Sequence, residues 1–215
     1  MHPVTPPVLL LDVDRTLLDT SAWCRLVART LYPDSADAAL SAFTRSGTGH
    51  GLTHTFDLDA AAAALGCAAA DLIARIDAEV DGRACCYPDT GPLLAAVARE
   101  HVEAALCTFG DRRWQAVKLR SCGLNQLPAH IVGEPKRYAI ARTYPGRTGW
   151  LVDDKPGQHL PDGWTEILLD RHGNHRTRSA GRRITGLADV PAATWRTRRI
   201  ARPAAAAPAR TAFGW

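Results

Sequence analysis

Two aspartates one residue apart, Asp12 and Asp14, stand at the end of an apolar run over residues 8–11. Carboxylates at i and i+2 of an unbroken strand share a face but stand a full pleat apart, and a break between them lets both aim at one point. One could then attack an electrophile while the other moves protons. A second acid pair, Asp153 and Asp154, follows the apolar run 149–152, and Thr108 follows the run 102–107. The chain has only three lysines against 23 arginines, and Lys118, Lys136 and Lys155 all fall in the same stretch as these residues. Displacement at phosphorus needs an in-line nucleophile, an acid for the departing oxygen, positive charge on the equatorial oxygens and a divalent ion. Asp12 suits the nucleophile and Asp14 the general acid and base. Thr108 suits a hydroxyl donor and Lys136 a compact cation, with Asp12 and Asp153 as hard oxygen ligands for magnesium. Lys118 and Lys155 are the other candidates for the cation.

Taken singly, each of these residues has a plainer explanation. An Asp-x-Asp pair can be a solvated turn or a helix cap, Thr108 a capping hydroxyl and Lys136 a surface lysine. Asp153-Asp154 before Lys155-Pro156-Gly157 can simply open a turn. Their order along the chain is what makes the combination specific, and it depends on the elements that carry them.

Those elements alternate. Strands are expected at 8–13, 102–107, 130–132, 149–152 and 166–169, with a further edge at 183–187. A helix opened by residues 88–92 is expected to run to about 100, and further helices are expected at 111–122 and 136–142. Gly123 suits the left-handed position that closes the second of these helices. Strands separated by helices imply an α/β fold, a Rossmann-like parallel sheet with helices on both faces, whose ligands bind at the carboxyl ends of the strands. Residues 34–86 differ: helical patterns at 35–44, 57–65 and 69–80 surround a Gly/Thr/His loop at 46–55, with no strand signal. With the helix expected at 21–31, they are expected to form a small inserted helical cap over residues 20–86. Residues 1–19 and 87–200 would form the core, and 201–215 a flexible basic tail.

With these placements the sequence resembles the haloacid dehalogenase superfamily. Asp12-Val13-Asp14-Arg15-Thr16 is similar to its first motif and Leu106-Cys107-Thr108-Phe109-Gly110 to its second. Lys136 is similar to the third, and Leu151-Val152-Asp153-Asp154 to the fourth. The resemblance covers about residues 8–190, including an insert where the helical cap of the C1 type lies. It implies an aspartyl-phosphate intermediate on Asp12, and a magnesium ion held by Asp12, Asp153 and the backbone carbonyl of Asp14. Asp154 and Gly110 would support the site. Retention of Asp14 favours phosphate-ester hydrolysis, because related dehalogenases lack that second acid. Arg15 stands where many members carry Gly, which would stiffen the loop or set a cation beside the site. Pro135 precedes Lys136, whereas relatives commonly have a proline after it.

Composition narrows the partners. Of 215 residues 46% are hydrophobic and 22% charged, an ordinary globular balance. No apolar run approaches the roughly 20 residues that span a bilayer, and the N-terminus lacks a secretory pattern, so a cytoplasmic protein is expected. Six cysteines lie at irregular spacings without a C-x-x-C pair, which suits reduced buried thiols rather than zinc ligands. Residues 171–215 hold ten Arg and one acid, whereas residues 1–170 hold 16 basic and 21 acidic groups. The expected partner is a small phosphorylated substrate. A phosphomutase using the same carboxylates is the alternative within the family. A catalytically silent nucleic-acid-binding protein using the basic segment is the alternative outside it. Pro203, the Ala204–Ala207 run and Pro208 can bury little apolar surface. A chain ending at Ile200 is therefore expected to keep its kcat/KM on a small phosphate ester within about twofold, measured at several salt concentrations.

Overall fold

In a computed structural model of the chain, which describes residues 6–48, 55–173 and 181–195, the apolar run after Pro7 forms β1 (Val8–Leu11). This strand ends two residues earlier than its apolar character suggests. The carbonyl of Val13 accepts from the N–H groups of Thr16, Leu17 and Leu18, which folds the chain into a turn at the two aspartates. The helical segment follows: α1 (Thr20–Leu31), α2 (Ala36–Arg45), α3 (Leu58–Ala64) and α4 (Ala69–Glu79). Asp19 caps α1 by accepting from Ala22 N at 2.9 Å, and Asp57 caps α3 by accepting from Ala60 N at 2.9 Å. Between α2 and α3 lies an antiparallel ribbon of β2 (Gly47–Thr48) and β3 (Thr55–Phe56). The expectation of no strand in this segment is thereby corrected. Two-residue strands are too short to leave a period in the sequence. The ribbon does not join the central sheet.

The remainder alternates as expected: α5 (Thr90–Arg99), β4 (Ala104–Phe109), α6 (Arg112–Ser121), β5 (Ala129–Val132), α7 (Lys136–Thr143), β6 (Gly149–Asp153) and β7 (Trp164–Leu169). The edge expected at 183–187 is β8 (Arg182–Ile184), followed by the one-turn α8 (Val190–Ala193). The strand expected at 102–107 lies two residues later. His101, with φ 50, and Val102, whose N–H bonds Val97 O, still belong to the closure of α5. Gly123 takes φ 68 after α6, the left-handed position anticipated for it. All six long-range strands pair in parallel, in the order β5-β4-β1-β6-β7-β8. The expected tail 201–215 and most of the basic 171–215 segment's arginines lie outside the described residues.

Strand alternation splits the core in two. Val8 and Leu10 join Ala105, Cys107, Leu151 and Ile140 of α7 in a small cluster on one face. Leu9 and Leu11 join Leu106, Val152 and Ile167 in a larger cluster on the other. That larger cluster continues through α5 and α6 into the helical segment, where Trp23 meets Trp114 edge to face at 4.9 Å. The two linkers to the helical segment run side by side, with Asp19 N bonded to Cys85 O and Tyr87 N to Leu17 O. Arg171 clamps them from the core by donating to Thr16 O at 3.0 Å and to both oxygens of Asp89 at 2.8 and 2.9 Å. All six cysteines are free, and no helix among the described residues is long and apolar enough to cross a membrane.

Gly149 is where β6 lies closest to its neighbours. A Cβ there would collide with the carbonyl oxygen of Val8 and stand 2.7 Å from the Trp164 ring. Gly149→Ala should therefore destabilise the fold by about 1–3 kcal/mol, read as a lower urea midpoint at an unchanged slope.

Candidate active site

Parallel register brings the acid pairs together. Leu11 of β1 is opposite Val152 of β6, so the next residues, Asp12 and Asp153, leave adjacent strands side by side. Neighbouring strands run about 4.8 Å apart. Carboxylate oxygens of Asp12, Asp153 and Asp154 accordingly all lie within 4.8 Å of one another. Thr108 arrives from β4 on the other flank of β1. Lys136 opens α7, with Pro135 in the N-cap position at φ −50. Its Nζ donates to Asp12 Oδ1 at 2.5 Å and to Asp153 Oδ2 at 2.6 Å. Of the three lysines, Lys136 is thus the one at the Asp12 carboxylate. Glu134, just before it, instead pairs with Arg142.

The cluster stands away from water, and its charge state follows from that. Burial pushes the Asp12 carboxyl up to about 8, reinforced by Asp153 and Asp154 and opposed by the Lys136 ammonium. Burial, then repulsion from Asp153, raises Asp154 to about 6. The same carboxylates hold the Lys136 ammonium well above the usual lysine range, against a burial effect of opposite sign. Three converging carboxylates with hard oxygen donors fit a hard divalent cation, which would relieve that mutual repulsion. Asp153 is further fixed by Lys155 N on Oδ1 at 2.8 Å and by Gln158 Nε2 on Oδ2 at 2.9 Å.

Asp14 lies beside this group, but its side chain belongs to a different set. Thr20 Oγ1 and Lys118 Nζ donate to Oδ1 at 2.5 and 2.6 Å, and Gln115 Nε2 donates to Oδ2 at 2.8 Å. Burial opposes its ionisation, but the Lys118 charge and these hydrogen bonds prevail and hold its pKa down to about 2. Sequence reasoning named Lys118 only as a rival for the cation, and it missed Thr20, Gln115 and Gln158. A signal existed for Gln115, which stands three residues before Lys118 in a helix, hence on the same face. Gln158, in a loop, left none.

Thr108 is 1% exposed, and its hydroxyl is buried without a hydrogen-bond partner among the described residues, as is Oε1 of Gln115. Both line a cleft of about 730 Å³ that also holds Asp12, Asp14, Lys136 and Asp153. Opposite the carboxylates, Phe43 and a stacked pair, Phe56 on Trp114 at 4.1 Å, give the cleft an aromatic wall. Gly110 turns the chain out of β4 with φ 141, a conformation open to Gly, and delivers Asp111 as the cap of α6. Arg15 takes φ 61, so it adopts the left-handed backbone that Gly would hold more easily, and its exposed side chain lines the cleft.

Lys118→Met should leave Asp14 without its counter-charge. The expected loss is about 3 kcal/mol at pH 7, at the low end of the range for broken buried pairs because Asp14 is partly exposed. Asp14 stabilises the fold fully above about pH 4, its ordinary range, and that contribution is lost as pH falls toward 2. The gap between the two proteins, measured by urea denaturation across pH, should therefore narrow from pH 4 downward.

No protein-family model and no curated protein matches the chain. Solved structures do. The HAD hydrolase YfnB from Bacillus subtilis, bound to magnesium, is 15% identical with a TM-score of 0.57, over 87% of this chain and 97% of that one. The L-2-haloacid dehalogenase from Xanthobacter autotrophicus is 15% identical with a TM-score of 0.55, over 87% of this chain and 98% of that one. A HAD phosphatase from Thermococcus onnurineus is 17% identical with a TM-score of 0.56, over 86% of this chain and 96% of that one. Dehalogenase and phosphatase structures thus match alike, and the chain has the fold of the haloacid dehalogenase superfamily hydrolases.

Proposed function

We propose that the chain is a magnesium-dependent phosphatase that hydrolyses a small phosphate monoester through a phosphoryl group carried on Asp12. The observation that carries this reading is the buried, unbonded hydroxyl of Thr108 in the same cleft as the Asp12–Lys136–Asp153 cluster. A buried donor without a partner is costly. An anionic oxygen placed beside it would satisfy it.

In this reading Asp12 attacks phosphorus through Oδ2, which holds only a 3.3 Å bond from Thr16, while Lys136 orients Oδ1. The bond from phosphorus to the ester oxygen breaks as the new bond forms. Thr108 donates to a phosphoryl oxygen, and the ammonium of Lys136 offsets charge beside it. A magnesium ion held by Asp12, Asp153, the Asp14 carbonyl and the neighbouring Asp154 would supply Lewis-acid stabilisation of the equatorial oxygens. Asp14, held ionised by Lys118, is ready to deprotonate the water that releases phosphate and restores Asp12. To protonate the leaving group in the first step it must first exchange its bond to Lys118 for a proton. Closure of the helical segment over the cleft is proposed to make that exchange and to exclude water. Asp14 also favours ester hydrolysis over carbon–halogen cleavage, where no leaving oxygen needs a proton.

Phosphate release from a panel of phosphate esters, with magnesium and with chelator, tests the reading. Asp12→Asn should abolish release while keeping the melting temperature within a few degrees. Asp14→Asn should slow it about 10²–10⁴-fold and Thr108→Val about 10²-fold. Magnesium should raise the melting temperature of the wild type but not of Asp153→Asn. Full activity of Asp12→Asn, or halide release from haloacids in place of phosphate release, would overturn it.

A further inference from the structure

The cleft carries cations that the phosphatase reading gives no role. Five cationic side chains, Arg15, Arg25, Lys118, Lys136 and Lys155, line it against the carboxylates of Asp12, Asp14, Asp153 and Asp154. With a divalent ion present the lining would hold about three net positive charges, and a phosphoryl dianion takes two. Lys118 and Lys136 are committed to Asp14 and Asp12. Arg15 and Arg25 are both exposed, and neither side chain makes a hydrogen bond or ion pair among the described residues. Among other exposed arginines, Arg113, Arg120 and Arg142 find carboxylates while Arg29, Arg45 and Arg112 show no ion pair among the described residues, so what sets Arg15 and Arg25 apart is that they line the cleft. In addition, Arg15 is held in a left-handed backbone that costs a non-glycine residue about 1 kcal/mol or more. Strain of this kind collects at ligand-binding positions.

Helix geometry says where the extra charge sits. Ser21, Cys24 and Arg25, spaced at i, i+3 and i+4, all line the cleft, so Arg25 projects from the face of α1 that looks into it. Arg25 lies five residues beyond Thr20, whose hydroxyl bonds Asp14, which is about 7.5 Å of helical rise. A group that meets it is several bonds from the scissile ester. We propose that Arg15 and Arg25 bind a second anionic group on the substrate, so that the preferred esters carry a carboxylate or a further phosphate at the far end of the leaving group. This inference rests on the phosphatase reading of the same cleft. Guanidinium forks match either anion bidentately. The competing role for Arg15 is to offset Asp154, whose pKa its charge lowers; Arg25 forms no ion pair with an acid among the described residues.

Three esters of matched length separate these readings: pentyl phosphate, 5-(phosphonooxy)pentanoate and pentane-1,5-diyl bisphosphate. The wild type should prefer the carboxylate-tailed or bisphosphate ester over pentyl phosphate by tenfold or more in kcat/KM. Arg25→Gln and Arg15→Gln should each cut that ratio about tenfold, and Arg25→Lys should restore part of it. Whichever tailed ester shows the larger ratio identifies the distal anion. Calorimetric binding of the bisphosphate and of pentyl phosphate to Asp12→Asn protein should show the same order without turnover. A ratio equal in the wild type and both variants would overturn the proposal. So would a uniform loss on all three esters for Arg15→Gln with none for Arg25→Gln, since Arg15 would then serve Asp154 alone. Absence of phosphate release from every ester would count against the phosphatase, while the calorimetric comparison would still decide the role of the arginines.

Discussion

The ammonium of Lys136 lies between Asp12 and Asp153 in a setting where all three side chains are nearly dry. Two carboxylates leaving adjacent parallel strands are forced together by the strand spacing itself. In a low-dielectric setting they could not both stay ionised without an opposite charge. The register of β1 against β6 therefore creates an electrostatic problem that α7 must solve by placing its first residue between them. Much of the core follows from this. Ile140 of α7 packs on Val8 and Leu10, and that contact fixes where the helix can start.

A second, parallel arrangement stands a few residues away. Lys118 serves Asp14 as Lys136 serves Asp12, but from α6, on the opposite face of the sheet, and with its ammonium 5.7 Å from the Trp23 ring. Trp23 belongs to α1 and donates through Nε1 to Ser121 Oγ at the end of α6. Asp14, the proposed proton-transfer group, is thus tied to the helical segment through Thr20, Trp23 and their partners, whereas Asp12, the proposed nucleophile, is held by Lys136 of α7 and by Thr16, both outside that segment. A movement of the helical segment would disturb Asp14 and leave Asp12 in place. That division suits a site in which one carboxylate must stay fixed and the other must change its bonding.

The aromatic seam of Trp23, Trp114, Phe43 and Phe56 joins the sheet's larger apolar cluster to the helical segment without a break. Its edge is also a wall of the cleft. Packing and the shape of the cleft are therefore set by the same side chains here. Changes to the wall would alter both.

Much of this could be read in the residues alone. The alternation of short apolar runs with helical stretches dictated a parallel sheet, since parallel strands are buried on both faces and read as unbroken apolar runs. Asp12, Thr108, Lys136 and Asp153 were legible because strand ends are where such sheets bind ligands, and each follows a recognisable run. The pairing of Gly47–Thr48 with Thr55–Phe56 and the exact ends of β1 and β4 were not legible, because they are set by a few local hydrogen bonds rather than by a period. Only the tertiary structure decided which lysine meets which aspartate. Lys118, Lys136 and Lys155 look alike in sequence, and their assignment depends on which helix face turns inward and on a register between distant strands. The same holds for the partners of Asp14: Thr20 and Gln115 are 95 residues apart along the chain, and packing alone brings both to one carboxylate.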